Sequence, residues 1–133
     1  MARPSNTHER RKQILDGFRI ILAERGYEGA TIIDIARAAG VSAGLLHYHF
    51  EDKRAIMVAL VEDLAAESGE RLQAAIAVAG PEPDARLDAY LASRLRPAGE
   101  PGAIALACWV AVAAESLREV PVRKAYEGAI LAE

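Results

Sequence analysis

Three histidines, one cysteine and nineteen acidic residues are the side chains from which metal or covalent chemistry would have to be built in this 133-residue chain. Their spacing does not build it. His47 and His49 lie two apart, which puts them on different sides of a helix, and no cysteine or carboxylate completes a zinc set beside them. No glycine-rich phosphate loop, nucleophile elbow or paired-carboxylate arrangement occurs, so the chain is expected to be no enzyme and to need neither metal nor cofactor. The residues expected to carry function lie instead between Thr31 and Arg54, where hydroxyl, imidazole, phenol and cationic donors alternate with small residues. Donors of that kind serve non-covalent recognition.

Short-range signals place this stretch on helices. Asn6 can cap a first helix, with Glu9 at the third helical position, and Ile14, Phe18, Ile21 and Leu22 then recur on one face until Gly26. Thr31 and Asp34 stand in capping-box spacing at the start of a second helix whose inner side is Ile32, Ile35, Ala36 and Ala39. Gly40 stops it in a left-handed turn, Val41 can plug that turn, and Ser42 can cap a new short helix running through His49. Two short helices across a tight glycine turn make a helix-turn-helix.

After it, Glu51 and Asp52 offer a cap for a long connector helix over residues 52–79, with Ile56, Leu60, Leu64, Ser68 and Leu72 at helical spacing. Proline and glycine then punctuate the chain, which predicts helices over about 84–96, 103–119 and 121–133. An all-α fold is expected, divided into a helix-turn-helix domain over 1–51 and a helical regulatory domain over 52–133. With 52% hydrophobic and 26% charged residues, the composition suits helices around an apolar core. Formal charge is −3 over the chain, but nine Lys/Arg against seven Asp/Glu leave +2 on residues 1–54, and seven against twelve leave −5 on the rest. Only the first part is suited to approach phosphate. The lone Cys108 sits in the apolar run Ala103 to Ala114, so a buried thiol in a cytoplasmic protein is expected. Those twelve residues fall short of the roughly 20 that span a bilayer, and no membrane association is expected.

The order Thr31, Ile35-Ala36, Ala39-Gly40-Val41-Ser42, Gly44-x-Leu46, an aromatic cluster ending in Phe50, and Lys53 closely resembles the signature of the TetR family of transcriptional regulators. The resemblance implies a ligand-responsive repressor that binds a palindromic operator in double-stranded DNA as a homodimer. It makes Ser42 to His49 the recognition helix, with Ala43 and Gly44 letting the backbone close on the major groove. Leu45 and Tyr48 would lie against thymine methyls or sugar carbons, and His47, where the family usually carries tyrosine, would donate to phosphate. Lys53 matches a position that grips the phosphate backbone, Thr31 offers a hydroxyl and helix-start amides, and Arg37 is a further candidate. Arg54, and a basic approach of Arg3 with Arg10, Arg11 and Lys12, are additional possibilities. Alanine in place of Tyr48 or Lys53 is expected to weaken DNA contact and spare the fold. A helical interaction module without DNA remains the alternative, and salt-dependent duplex binding separates the two.

In the family, the helices after this domain enclose a small-molecule effector site. Its candidate lining here is Leu64, Ser68, Leu87, Tyr90, Leu91, Arg94, Cys108, Trp109, Val112 and Glu115, with ordinary core packing as the competing explanation for each. Trp109 and the stretch Glu115 to Pro121 resemble the C-terminal domain of betaine-regulator repressors. The final helix, starting at Pro121, reaches Glu133 with no stop signal, so the dimerisation helices are expected to be incomplete and the chain to look truncated.

Overall fold

A computed structural model describes residues 6–95 and 99–131, and among these it holds seven helices and no strand. They are α1 (Asn6–Gly29), α2 (Ile32–Ala39), α3 (Ala43–His49), α4 (Lys53–Ala79), α5 (Pro83–Leu95), α6 (Gly99–Ser116) and α7 (Val120–Leu131). The all-α expectation is met.

Helix α1 buries Ile14, Leu15, Phe18, Ile21 and Leu22, a stripe at helical spacing, against α2 and α6. Gly26, at φ 70° and ψ 178°, breaks its run, and one further turn follows before Ala30 donates to the Tyr27 carbonyl at 3.2 Å. Helix α2 begins with a reciprocal cap. The Thr31 hydroxyl accepts from the Asp34 amide at 3.1 Å and donates to the Asp34 carboxylate at 2.6 Å, and Ile35, Ala36 and Ala39 go inward. Gly40 closes it at φ 68° and ψ 30°, with its amide on the Arg37 carbonyl at 3.1 Å and the Val41 amide on the Ala36 carbonyl at 3.0 Å. Only glycine takes that left-handed position without steric cost. Ser42 then caps α3 through the Leu45 amide.

Asp52 caps α4, accepting from the Ala55 amide at 2.7 Å. The first half of α4 is buried on a broad face, Ile56, Met57, Leu60, Val61 and Leu64; of the second half only Leu72 is buried. Along its length α4 packs chiefly on α5 and α7, with smaller contacts to α1 and α6, and α6 packs on α7. One apolar cluster runs from Ile14 and Phe18 through Leu46, Ile56 and Leu60 to Cys108, Val112 and Val122. Helices α1 to α3, here called the reading head, are therefore seated on α4 and α6 by a shared core.

Two helix limits differ from expectation. The proline-glycine stretch before Ala103 does not hold α6 off until residue 103, because α6 starts at Gly99 and Pro101 falls in its first turn, where amides have no intrahelical acceptor. At the other end α6 stops at Ser116 rather than near Glu119, and the Arg118 and Glu119 amides both donate to the Glu115 carbonyl at 2.9 Å. That tight turn leads directly into α7.

Candidate nucleic-acid interface

The seven residues of α3 divide sharply. Leu46 is fully buried and Leu45 half-buried, whereas Ala43, Gly44, His47 and Tyr48 face solvent. Tyr48 is 80% exposed, an apolar ring left in water whose ring contact is an edge-to-face approach to His49 at 5.1 Å between centroids. Ser42, Thr31 and Arg37 are exposed too. Leu46 and Phe50, both in the core, anchor the helix, so its outer face is presented by a rigid support.

The polar candidates turn out to be already engaged to different degrees. The hydroxyls of Thr31 and Ser42 serve as caps, which leaves the amides at the start of α2 as the free donors there. Hydrogen bonding from Thr31 holds the Asp34 carboxyl below its ordinary range, with Arg25 and Arg37 adding to this against the small cost of burial. Asp34 meets Arg25 at 3.0 Å and Arg37 only at 3.7 Å, and the Arg37 side chain is largely in water. Lys53 donates to the carbonyls of Tyr27 at 2.6 Å and Ala30 at 3.0 Å, with its ammonium 4.2 Å from the Tyr27 ring centre. It thereby ties the first turn of α4 to the α1–α2 junction, and a three-proton ammonium keeps one donor beyond those two carbonyls. Arg54 pairs with Asp52 at 3.4 Å and with Glu119 at 3.3 Å, which links α4 to the α6–α7 turn. The Tyr27 phenol nearby is pushed up to about 12 by burial and by the negative Glu119, Glu115 and Asp52.

Of the basic approach residues, Arg3 lies outside the described residues. Arg10 bonds Gln13 at 2.9 Å. Arg11 donates to the His49 carbonyl at 2.8 Å and lies 4.2 Å over the Phe50 ring, a cation at the C-terminal end of α3. Lys12 turns toward α4. Sequence reasoning missed three supports of this surface: Arg11 under α3, Gln13 donating to the Ala39 carbonyl at 2.6 Å, and Gly17, where α1 meets the backbone of α2. An isolated glycine inside a helical pattern was the one available signal for close packing.

Among the effector-site candidates, Leu64, Cys108 and Val112 meet in the core cluster and Trp109 packs against it. Burial pushes the Cys108 thiol up to about 11, and it points at the Arg19 carbonyl, 3.6 Å away. Glu115 is buried and Ser68 half-buried, while Leu87, Tyr90 and Leu91 lie on the exposed side of α5. Arg94 lies outside the residues whose side chains are described. Trp109 lies beside Tyr126 of α7, with ring centres 6.1 Å apart and ring planes tilted by 50°. No group of three metal-ligating side chains occurs among the described residues, and no helix there is long and apolar enough to cross a membrane.

Residues 14–60 match the family model described as bacterial regulatory proteins, tetR family, a span that covers α2, α3 and most of α1. Over that span the chain carries a TetR-family DNA-binding region. The chain is 41% identical over 68 residues to the transcriptional repressor AcnR of Corynebacterium glutamicum, a match covering 51% of the chain and 35% of that relative. A longer match, 32% over 111 residues, runs to the transcriptional regulator BetI of Serratia proteamaculans and covers 83% of the chain and 56% of that protein. The chain thus spans about half or less of these curated relatives. Beyond the DNA-binding region the fold itself agrees: a transcriptional regulator of Saccharomonospora viridis crystallised with choline superposes with a TM-score of 0.83 at 27% identity, over 92% of this chain and 64% of that one.

Proposed function

We propose that this chain is a sequence-specific DNA-binding transcriptional regulator, acting as a ligand-responsive repressor in the cytoplasm. The observation that carries the reading is the outer face of α3. A helix of seven residues is capped at one end, buttressed by Arg11 at the other, and exposes Ala43, Gly44, His47 and Tyr48 together. Such a face fits the major groove: the two small residues allow close backbone approach, and Tyr48 has area to offer thymine methyls or sugar carbons. His47, the amides at the start of α2, Arg37 and the remaining proton of Lys53 are the phosphate contacts that fix register. On this reading residues 1–51 bind DNA and 52–133 regulate, with two chains placing their α3 helices on a palindromic operator one helical turn apart.

Selection of tight binders from random duplex DNA tests this. A palindromic consensus is expected, with affinity falling on added salt by a log–log slope of about −0.9 for each phosphate neutralised. Recovery of no consensus, or binding indifferent to salt, would leave the interaction-module reading.

For the effector, the neighbouring rings of Trp109 and Tyr126, tilted by 50°, favour a small organic cation, since aromatic faces attract a quaternary ammonium. The likeness to the regulator crystallised with choline supports the same class. Trp109 is the single tryptophan, so its fluorescence reports the site alone. Titration with choline should change that emission saturably, and Tyr126→Leu should weaken the response. A flat titration sinks the cationic effector and leaves the DNA reading untouched.

A further inference from the structure

Four charged side chains join the reading head to the connector helix in a crossed pattern. Lys12 of α1 reaches Asp63 at 2.8 Å and Glu67 at 3.1 Å, and Arg19, two turns further along α1, reaches Glu67 at 2.9 Å and Asp63 as well. Each cation therefore holds both carboxylates. Lys12 also meets Asp16 within α1, at 3.5 Å. The Arg19 side chain is only 13% exposed and its Nε is buried with no hydrogen-bond partner. Burial opposes the charges on Lys12, Arg19 and Glu67, yet the mutual hydrogen bonds outweigh it, so both cations are held above and Glu67 below their ordinary ranges.

This is an uneconomical way to gain stability, because desolvating charges offsets most of what pairing returns and an apolar contact would hold two helices as well. What crossed ion pairs add is geometry. Two cations, each reaching both carboxylates, define one register and one rotation of α4 against α1. The cluster also sits where α4 leaves the core, since Leu64 is the last of its closely spaced buried residues. Asp63 and Glu67 stand roughly 15–21 Å along α4 from Lys53, so a slip of 1 Å there tilts the helix by about 3–4°. Three residues separate that helix from the end of α3.

We propose that Lys12, Arg19, Asp63 and Glu67 are positioning residues for DNA binding, a clasp that fixes the angle between the reading head and α4. The proposal rests on the DNA-binding reading above. Its test compares the parent with D63N/E67Q, using the duplex selected by the parent and a scrambled duplex of equal length. Removing two carboxylates raises attraction to any duplex, and partial unfolding lowers binding to both, so neither effect moves the ratio of specific to nonspecific affinity. That ratio should fall about tenfold, with helicity and the salt slope retained. A clasp of reversed charge, K12E/R19E/D63K/E67R, should restore most of it. A ratio within twofold of the parent in D63N/E67Q overturns the proposal. If the double variant loses helicity, Asp63→Asn alone decides, and less than a threefold fall overturns it. A parent that shows no specific binding at all defeats the DNA reading itself, and the clasp falls with it.

Discussion

Replacement of Gly17 by valine is expected to cost several kcal/mol of stability and to abolish DNA binding at moderate temperature. A β-carbon at this position would stand 2.6 Å from the Ala39 nitrogen and 2.8 Å from both the α- and β-carbons of Ala39. Those neighbours are mostly backbone and cannot rotate away, so α2 would have to move off α1. The Gln13 side chain, one turn earlier, donates to the carbonyl of the same Ala39 at 2.6 Å, and that bond would be lost with the movement. Overpacking of this kind costs about 1–3 kcal/mol for modest additions and more for a branched residue, a large share of the roughly 5–15 kcal/mol that holds a domain together. Alanine is the sharper test, because its helix propensity alone would stabilise by about 1 kcal/mol over glycine. Gly69 of α4 provides the control: nothing lies within 4 Å of a β-carbon there. Urea melts should therefore show Gly17→Ala less stable than the parent and Gly69→Ala more stable by roughly 0.5–1 kcal/mol. A Gly17→Ala chain that melts at or above the parent would show that α1 and α2 do not approach this closely.

The opposite signature is expected from Tyr48→Ala. With 80% of its surface in water, Tyr48 contributes little to the core, so the melting transition should stay where it is. Affinity for the selected duplex should fall by about 1–3 kcal/mol, the usual worth of a side chain reading base edges. The salt slope should not change, since no phosphate contact is removed. Unaltered affinity with intact helicity would remove α3 from the interface. Lys53→Ala is a poorer probe than its sequence position suggests. Its ammonium holds the Tyr27 and Ala30 carbonyls, so the variant loses stability together with any phosphate contact, and the expectation that the fold is spared does not hold for it.

Much of the reading head was legible in the sequence because its determinants are short-range. The Thr31–Asp34 cap, the left-handed Gly40, the Ser42 cap and the Asp52 cap each act over three or four residues, and each is present. The division of α3 into the buried Leu46 and an exposed Tyr48 follows from the same period. Local rules erred on where α6 begins: it starts at Gly99 rather than 103, because a first turn tolerates Pro101. Tertiary structure alone decided what the charged residues do. Arg11 and Lys12 read as part of a basic approach to DNA, yet one supports α3 through a carbonyl 38 residues away and the other joins carboxylates 51 and 55 residues away. Likewise Leu87 and Leu91 share an apolar pattern with Leu64, Cys108 and Val112, but only the latter three enter the common core. A helical period states which side chains share a face. Which neighbour covers that face, and so whether a charge is solvated, paired or buried, depends on where distant helices pack.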